Sequence, residues 1–111
     1  MGLKFLGTLT ITPATPQLLT SVAAIAAAAR GKAFNAIVIQ QRRVNVGFVF
    51  VGDATMAGEA TTCIVIPPAS AAQAPYLQLD LEGVGANPLG IEGISVDGTA
   101  VEVVQVSGLE A

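Results

Sequence analysis

The chain has 111 residues, of which 52% are hydrophobic and 12% charged, with a formal net charge of −3, no His and one Cys. Five Lys and Arg residues are too few for the clustered basic surface that binds nucleic acid, and one cysteine without histidine excludes an intrachain disulfide and nearly excludes imidazole or thiolate metal sites. At this length we expect residues 1–111 to form one domain, with part of its thinly charged surface covered by other subunits.

Residues 3–12 alternate in character after Gly7. Leu9 and Ile11 fall on one side of an extended chain, and three threonines fall on the other. This period of two predicts a half-exposed first strand. We find neither a secretion signal nor a run near the ~20 apolar residues that span a bilayer, so we expect no membrane partner.

An alanine-rich segment, residues 17–29, contains no Gly or Pro and is typical of a helix. The apolar side chains at helical spacing are Leu18, Val22, Ile25 and Ala29. Thr15 is suited to the N-cap and Pro16 to the first helical position. We therefore predict one short helix that covers an end or an edge of the sheets.

Residues 36–53 carry the strongest strand pattern in the chain, AIVIQQRRVNVGFVFVGD. We interpret it as two strands of one central sheet, joined by a polar elbow at residues 40–43. Val44, Val46, Phe48 and Phe50 recur at every second position, which predicts that this set faces the core. Val49 and Val51 make the other face of this strand apolar as well. If Phe48 is fully buried there, Phe48→Ala should cost roughly 3–5 kcal/mol of unfolding free energy.

The elbow contains two adjacent cations, Arg42 and Arg43. All five basic residues precede Asp53, and all eight acidic residues lie from Asp53 onward. The two halves can pair their charges within one fold, or opposite charges can meet between neighbouring subunits. The elbow is accordingly either a solvated turn or a contact with an acidic neighbour.

Further short strands are predicted at residues 63–66, 76–81, 94–96 and 101–106. Asp97-Gly98 suits a type I′ turn, which predicts a hairpin between the last two strands. Seven to eight short strands with one short Ala-rich helix are typical of a mainly β protein, a β-sandwich or a jelly roll. We predict a single β-sandwich domain.

No catalytic constellation accompanies these strands, and we expect neither an enzyme nor a cofactor. Asp80 and Glu82 would project from one strand face, as calcium ligands or glycosidase carboxylates do. No calcium-loop motif surrounds them, and Tyr76 is the only aromatic residue that could stack on a sugar. We therefore predict no catalytic, cofactor or metal site.

Four runs in the chain resemble a particular group of proteins. They are AIVIQQ, then FVFVGDATM followed by CIVIPP, and finally ISVDGTAVEVVQV. Together they resemble strand and turn motifs of small structural proteins of tailed bacteriophages, in which a central strand ends in V-G-D-[AS]-T. In those proteins the next strand has the form G-I-x-[IL], and Cys63 departs from it by standing in the position of the Gly. The Ala-rich helix has no counterpart among these motifs.

The resemblance implies a virion component, most simply a head decoration or cement protein that binds the major capsid protein at the capsid surface. It also implies a homo-oligomer, as a dimer or trimer. The residue composition already argues against a nucleic-acid or membrane partner. Terminal arms and long loops are expected to make the contacts. The candidate interface residues are Lys4, Phe5, Arg42, Arg43, Glu59, Glu82, Asn87 and Leu89.

Other functions remain open from the sequence. One alternative is a tail, neck or fibre-base protein of the same particle. Another is a module that binds host-surface glycan, and a third is a cellular β-domain.

Overall fold

The computed structural model describes residues 2–30, 34–52, 64–70, 73–80 and 90–110. The strands are β1 (Leu3–Thr10), β2 (Gln17–Leu18), β3 (Phe34–Gln41), β4 (Val49–Gly52), β5 (Ile64–Ile66), β6 (Tyr76–Asp80), β7 (Ser95–Gly98) and β8 (Val103–Glu110). One α-helix, α1 (Ala23–Ala29), and two 3₁₀ turns (Leu19–Ser21 and Gly90–Gly93) accompany them. None of the helices in the described ranges is long and apolar enough to cross a bilayer.

The eight strands form two antiparallel sheets of four. Sheet 1 has the order β1-β8-β3-β6, and sheet 2 has the order β2-β7-β4-β5. First and last strands pair, as do second and seventh, third and sixth, and fourth and fifth. This nested pairing is the jelly-roll arrangement, in which a long folded ribbon wraps into two facing sheets. The predicted mainly β fold with one short helix is confirmed.

The core lies between the two sheets and is almost entirely aliphatic. Alternate side chains of each strand point inward, as the period of two in the sequence predicts. Sheet 1 contributes Leu9, Ile37, Ile39, Val104 and Val106, and sheet 2 contributes Val49, Val51, Ile66 and Val96, all essentially inaccessible to solvent. Leu77 and Leu79 of β6 pack against this cluster, while Gln78 and Asp80 face outward, as predicted.

Helix α1 packs against β1 through a close contact at Gly7. The register of β1 shifts between Phe5 and Gly7, and Gly7 has φ +157°, a backbone conformation that disfavours larger residues. A Cβ atom at Gly7 would lie 2.9 Å from Cγ1 of Ile25, which is fully buried. The absence of a side chain at Gly7 therefore allows the helix to lie directly on the strand.

The helix begins later than the sequence pattern predicts. Gln17 and Leu18 pair with β7, and the N–H of Leu19 donates to the carbonyl of Ile94 at 2.9 Å. These long-range hydrogen bonds outweigh the helical preference of residues 17–22. The predicted cap at Thr15 with Pro16 at the first helical position is wrong, because the N-cap residue is Val22.

Strands β3 and β4 belong to different sheets, so the interpretation of residues 36–53 as two strands of one central sheet is wrong. β3 pairs with β6 and β8, whereas β4 pairs with β5 and β7. Residues 42–48 connect the two sheets, and we call them the crossing segment. Its extended pattern resembles a strand in sequence, but no strand is assigned within it.

The Asp97-Gly98 hairpin is also wrong. Both residues are part of β7, where Asp97 pairs with Phe50 and Gly98 pairs with Val49. β7 lies in sheet 2 and β8 in sheet 1, so the chain crosses between sheets at residues 99–102 instead of turning back on itself. Two crossings, residues 42–48 and 99–102, thus meet at the same end of the molecule.

Gly98→Ala is expected to lower the free energy of unfolding by about 1–3 kcal/mol, as overpacking a core does. A Cβ atom there would lie 2.8 Å from the backbone oxygen of Phe48 and 3.1 Å from Cγ2 of Ile11, so the pairing of β4 with β7 must shift. Urea denaturation followed by circular dichroism measures this. Gly93→Ala is the control, since no atom lies within 4 Å of its added Cβ, and equal losses for the two variants would contradict the crowding at Gly98.

Candidate functional site

Two buried amide side chains hold the crossing segment against the sandwich. Asn45 Nδ2 donates to Gln41 Oε1 at 2.7 Å and to the carbonyl of Val103 at 2.8 Å. Gln41 Nε2 donates to the carbonyls of Gly47 at 2.9 Å and Pro67 at 3.1 Å. Both residues are almost completely buried, so the bond between them and the bond to Gly47 are protected from competing water. We call Gln41 and Asn45 the buried amide pair.

The second crossing supplies acceptors for the backbone of the first. Glu102 Oε1 accepts the N–H groups of Val46 at 2.8 Å and Gly47 at 2.9 Å. Thr99 Oγ1 accepts the N–H of Phe48 at 2.9 Å, and the N–H of Thr99 donates to the carbonyl of Phe48 at 3.1 Å. The N–H groups of Val46, Gly47 and Phe48 are therefore all satisfied although the crossing segment belongs to neither sheet.

This anchoring reverses the usual orientation of an alternating segment. Asn45 and Gly47 are buried on the inner side, while the apolar residues that alternate with them, Val44, Val46 and Phe48, are exposed. The exposed fractions are 82% for Val44, 78% for Val46, 45% for Phe48 and 73% for Val101, which lies in the adjoining crossing. We call these four residues the apolar ridge. The prediction that Val44, Val46 and Phe48 face the core is wrong, because the buried amide pair occupies the inner side.

A polar cleft lies beside the ridge. Its volume is about 250 Å³, and the residues that line it are Gln40, Gln41, Arg42, Arg43, Ala74 and Gln105. Gln40 and Gln105 are paired across β3 and β8, and Gln40 Nε2 donates to the carbonyl of Ala74 at 3.2 Å. Arg42 and Arg43 are exposed, and the sequence places them directly before the ridge. We call this feature the arginine cleft.

A second exposed apolar surface lies near the other end of sheet 1. Leu3 and Phe5 are both more than half exposed on β1. Leu3 pairs with Leu109, which pairs with Ala36 near the start of β3. Arg42 lies six positions beyond Ala36, which at the rise of a strand is roughly 20 Å. The two surfaces are thus well separated, and we call Leu3 and Phe5 the β1 surface.

A shallow pocket of about 460 Å³ adjoins the arginine cleft at Ala74. The residues that line it are Pro67, Gln73, Ala74, Pro75 and Tyr76. The ring of Tyr76 is exposed at the start of β6. This is the one aromatic residue that the sequence offers for stacking on a sugar.

The structure places four of the eight predicted interface residues, and it divides them between two regions. Arg42 and Arg43 line the cleft, and Phe5 is exposed on the β1 surface. Lys4 lies beside Phe5 and forms the ion pair resolved within the described ranges, with its Nζ 3.9 Å from Glu110 Oε1. The other four, Glu59, Glu82, Asn87 and Leu89, lie outside the described residues.

Sequence reasoning missed the apolar ridge. The available signal was the polar Asn45 between two valines, since an amide at an inward position requires hydrogen-bond partners that a plain strand does not provide. If Asn45 is assigned to the buried face, the alternation places Val44 and Val46 on the exposed face. Val101 gave no comparable signal, because valine is equally suited to either face of a strand.

The chemistry that these surfaces provide is that of contact. Within the described ranges no three His, Cys, Asp or Glu side chains come together as a metal site would require. Asp80 is exposed and accepts a hydrogen bond from Gln78 Nε2 at 3.0 Å, and Glu82 lies outside the described residues. No family model, curated protein or solved structure matches the chain. The surfaces from which a function can be argued are the ridge, the arginine cleft, the β1 surface and the pocket beside Tyr76.

Proposed function

We propose that the chain is a virion structural protein, a head decoration or cement protein that binds the major capsid protein and links neighbouring subunits of the capsid lattice. The strand motifs that resemble phage structural proteins support this proposal. The jelly-roll topology also supports it, since viral capsid domains use this architecture, although the same architecture serves lectins and cupins. We propose no catalytic activity and no cofactor for it.

The apolar ridge is the observation that carries the proposal. Exposed apolar side chains are common singly, but here three of them, Val44, Val46 and Phe48, alternate with buried polar or small residues along one hydrogen-bonded segment. In an isolated molecule, holding exposed valine side chains in fixed positions does not stabilise the fold. A contact surface gains from it, because side chains already held in place lose less freedom on binding.

The exposed area of the ridge fits a weak contact that contributes to multivalent binding. Its four side chains expose a few hundred Å², within the range of functional patches on soluble proteins. A stable two-body complex usually buries about 800 Å² on each partner, so the ridge alone gives a weak bond. A protein that touches several neighbours at once gains strength from multivalency, which is the way a cement protein holds a shell.

The β1 surface supplies a second contact. Because it lies roughly 20 Å from the arginine cleft along sheet 1, one copy can touch two neighbours at the same time. We propose that the β1 surface joins copies into a dimer or trimer around a symmetry axis, while the ridge faces the capsid. The protein would then reside on the outer surface of the virion.

Replacing Val44 and Val46 together by Ser is expected to weaken binding to capsids at least tenfold. Both side chains are more than three-quarters exposed, so the free energy of unfolding should change by no more than about 0.5 kcal/mol per site. The assay adds the purified full chain to particles of the encoding virus assembled without it, and measures the bound fraction after sedimentation.

Ile64→Ser is the matched control, because Ile64 is an exposed aliphatic residue on the edge strand β5, outside the ridge. It should bind as the unmodified chain does. Equal binding by the ridge variant and the control would contradict the proposed role of the ridge. Electron microscopy of intact particles decides the location, and density for this protein on the tail, neck or fibre base would favour those sites over the head.

Binding of host-surface glycan is a second candidate function, favoured by one observation. Tyr76 exposes its ring beside a pocket with an amide side chain, Gln73, which is the combination that sugar rings need for stacking and hydrogen bonding. Reproducible binding on a glycan array, lost in Tyr76→Ala, would support this function. It would be independent of the ridge.

A further inference from the structure

We propose that the arginine cleft receives a single carboxylate side chain of the protein partner, presented by a segment whose flanking residues are apolar and lie on the ridge. This inference rests on the proposed docking role of the ridge and names the chemistry of its partner. The partner segment would have the pattern apolar-acidic-apolar.

The cleft is lined by two cationic side chains. Each guanidinium group offers five N–H donors and no acceptor, and its planar fork matches the two oxygens of a carboxylate. Arg42 and Arg43 are both exposed, and neither is paired with a carboxylate in the part of the chain that the structure describes. Gln105 adds an amide to the lining. Within the described residues, the cleft is thus a concentration of donors without a paired carboxylate.

The volume of the cleft favours a single side chain over a small-molecule ligand. At about 250 Å³ it is smaller than the roughly 300–1,000 Å³ of pockets that hold small-molecule ligands. One acidic side chain fits such a volume, and it would remain attached to a larger partner. A carboxylate held by two charge-assisted forks fixes the orientation of the segment that carries it.

The cleft is continuous with the apolar ridge. Arg43 is followed at once by Val44, and the ridge continues through Val46 and Phe48. A segment that places its acid between the arginines therefore has its neighbouring residues beside these exposed side chains. Apolar residues at those positions would cover the ridge and exclude water from the ion pair, which strengthens it.

A second copy of this chain fits the cleft less well. Among the acidic side chains that the structure places, Asp97 is buried, Glu102 accepts two backbone N–H groups, and Glu110 is paired with Lys4. Asp80 is exposed, but it already accepts a hydrogen bond from Gln78 Nε2. Nucleic acid fits poorly as well, since the chain carries a net charge of −3 and five basic residues in all. An acidic protein segment is the occupant that the chemistry favours.

The test uses the full chain, labelled with ¹⁵N, and two blocked tripeptides as probes. One is acetyl-leucyl-glutamyl-valine amide, and the other has glutamine in place of glutamate. We expect chemical-shift changes at Gln40, Arg42, Arg43 and Gln105 with the glutamate peptide, and affinity at least about tenfold weaker for the glutamine peptide, as the loss of a charged hydrogen-bond partner predicts. The double variant Arg42→Gln with Arg43→Gln should abolish the preference between the two peptides.

The control variant Lys4→Gln with Arg30→Gln removes the same amount of charge away from the cleft and should keep the preference. Equal binding of both peptides, shift changes centred elsewhere, or saturable binding of a short DNA duplex at physiological salt would overturn the inference. So would concentration-dependent self-association that the cleft variant abolishes, since the occupant would then be a second copy.

Capsid sedimentation separates this inference from the proposed function. If the unmodified chain binds capsids and the arginine variant binds them equally well, the cleft inference fails while the decoration role stands. If the unmodified chain does not bind capsids but prefers the glutamate peptide in the manner described, the decoration role fails and the cleft keeps its specificity.

Discussion

Ile39→Ala is expected to lower the free energy of unfolding by about 3–5 kcal/mol, the range found when a large aliphatic side chain is removed from a core that cannot collapse around the gap. Ile39 is completely buried. It lies on β3, a middle strand of sheet 1, and pairs with Val106 of β8 on one side and Leu77 of β6 on the other. Its loss leaves a cavity facing sheet 2. Urea denaturation monitored by circular dichroism gives the difference.

Val46→Ala provides the contrast for this substitution. Val46 also follows the period of two in the sequence, yet it is 78% exposed, so its truncation should change the unfolding free energy by less than about 0.5 kcal/mol. Phe48→Ala should likewise fall well below the core value, since almost half of its side chain is exposed. A core-sized loss at Val46 would show that the crossing segment is turned the other way in solution.

Asn45→Ala is expected to have the second largest effect, about 2–4 kcal/mol. The substitution removes the donor to Gln41 Oε1 and to the carbonyl of Val103, and leaves these acceptors buried without it. Each buried acceptor that loses its partner costs about 1–3 kcal/mol. The crossing segment should loosen, and faster hydrogen exchange at the amides of Val46 and Gly47 would report this directly.

Gln78→Ala is the appropriate comparison, because Gln78 is also an amide in a hydrogen bond, but an exposed one with Asp80. Its effect should stay within about 0.5 kcal/mol. The double variant of Gln41→Ala with Asn45→Ala should lose less than the two single losses combined, since the pair shares one bond. Strict additivity would show that the two amides act independently and that the pair is not a unit.

These variants also bear on the proposed function. If the buried amide pair presents the ridge in its binding conformation, Asn45→Ala should weaken capsid binding although it changes no exposed residue. A variant that loosens the segment while binding remains unchanged would indicate that the ridge adapts to its partner instead of being preformed.

Much of the architecture was readable from local patterns. The alternation of Leu9 and Ile11 with threonines, and of Leu77 and Leu79 with Gln78, predicted which side chains face the core. Short strands, frequent Gly and Pro, and a single alanine-rich segment predicted a mainly β fold with one helix. These predictions succeeded because an extended chain turns successive side chains to opposite faces whatever its partners are.

Part of the candidate site was also predictable. Adjacent arginines in a polar elbow pointed to Arg42 and Arg43, and both line the cleft. The ridge beside them was not predictable from periodicity, because Val44, Val46 and Phe48 share the alternation of a core strand. Alternation defines two faces but does not say which one is inside when both are largely apolar.

The sequence by itself determined that this protein is mainly β with one short helix, and it determined the alternation within each strand. The tertiary structure alone decided that β3 and β4 lie in different sheets, that Asp97 and Gly98 continue a strand instead of turning, and that the ridge faces water. The reason is that periodicity is a property of neighbouring residues, whereas the choice of face depends on distant partners. Asn45 turns inward because a carbonyl 58 positions away, that of Val103, accepts its hydrogen bond.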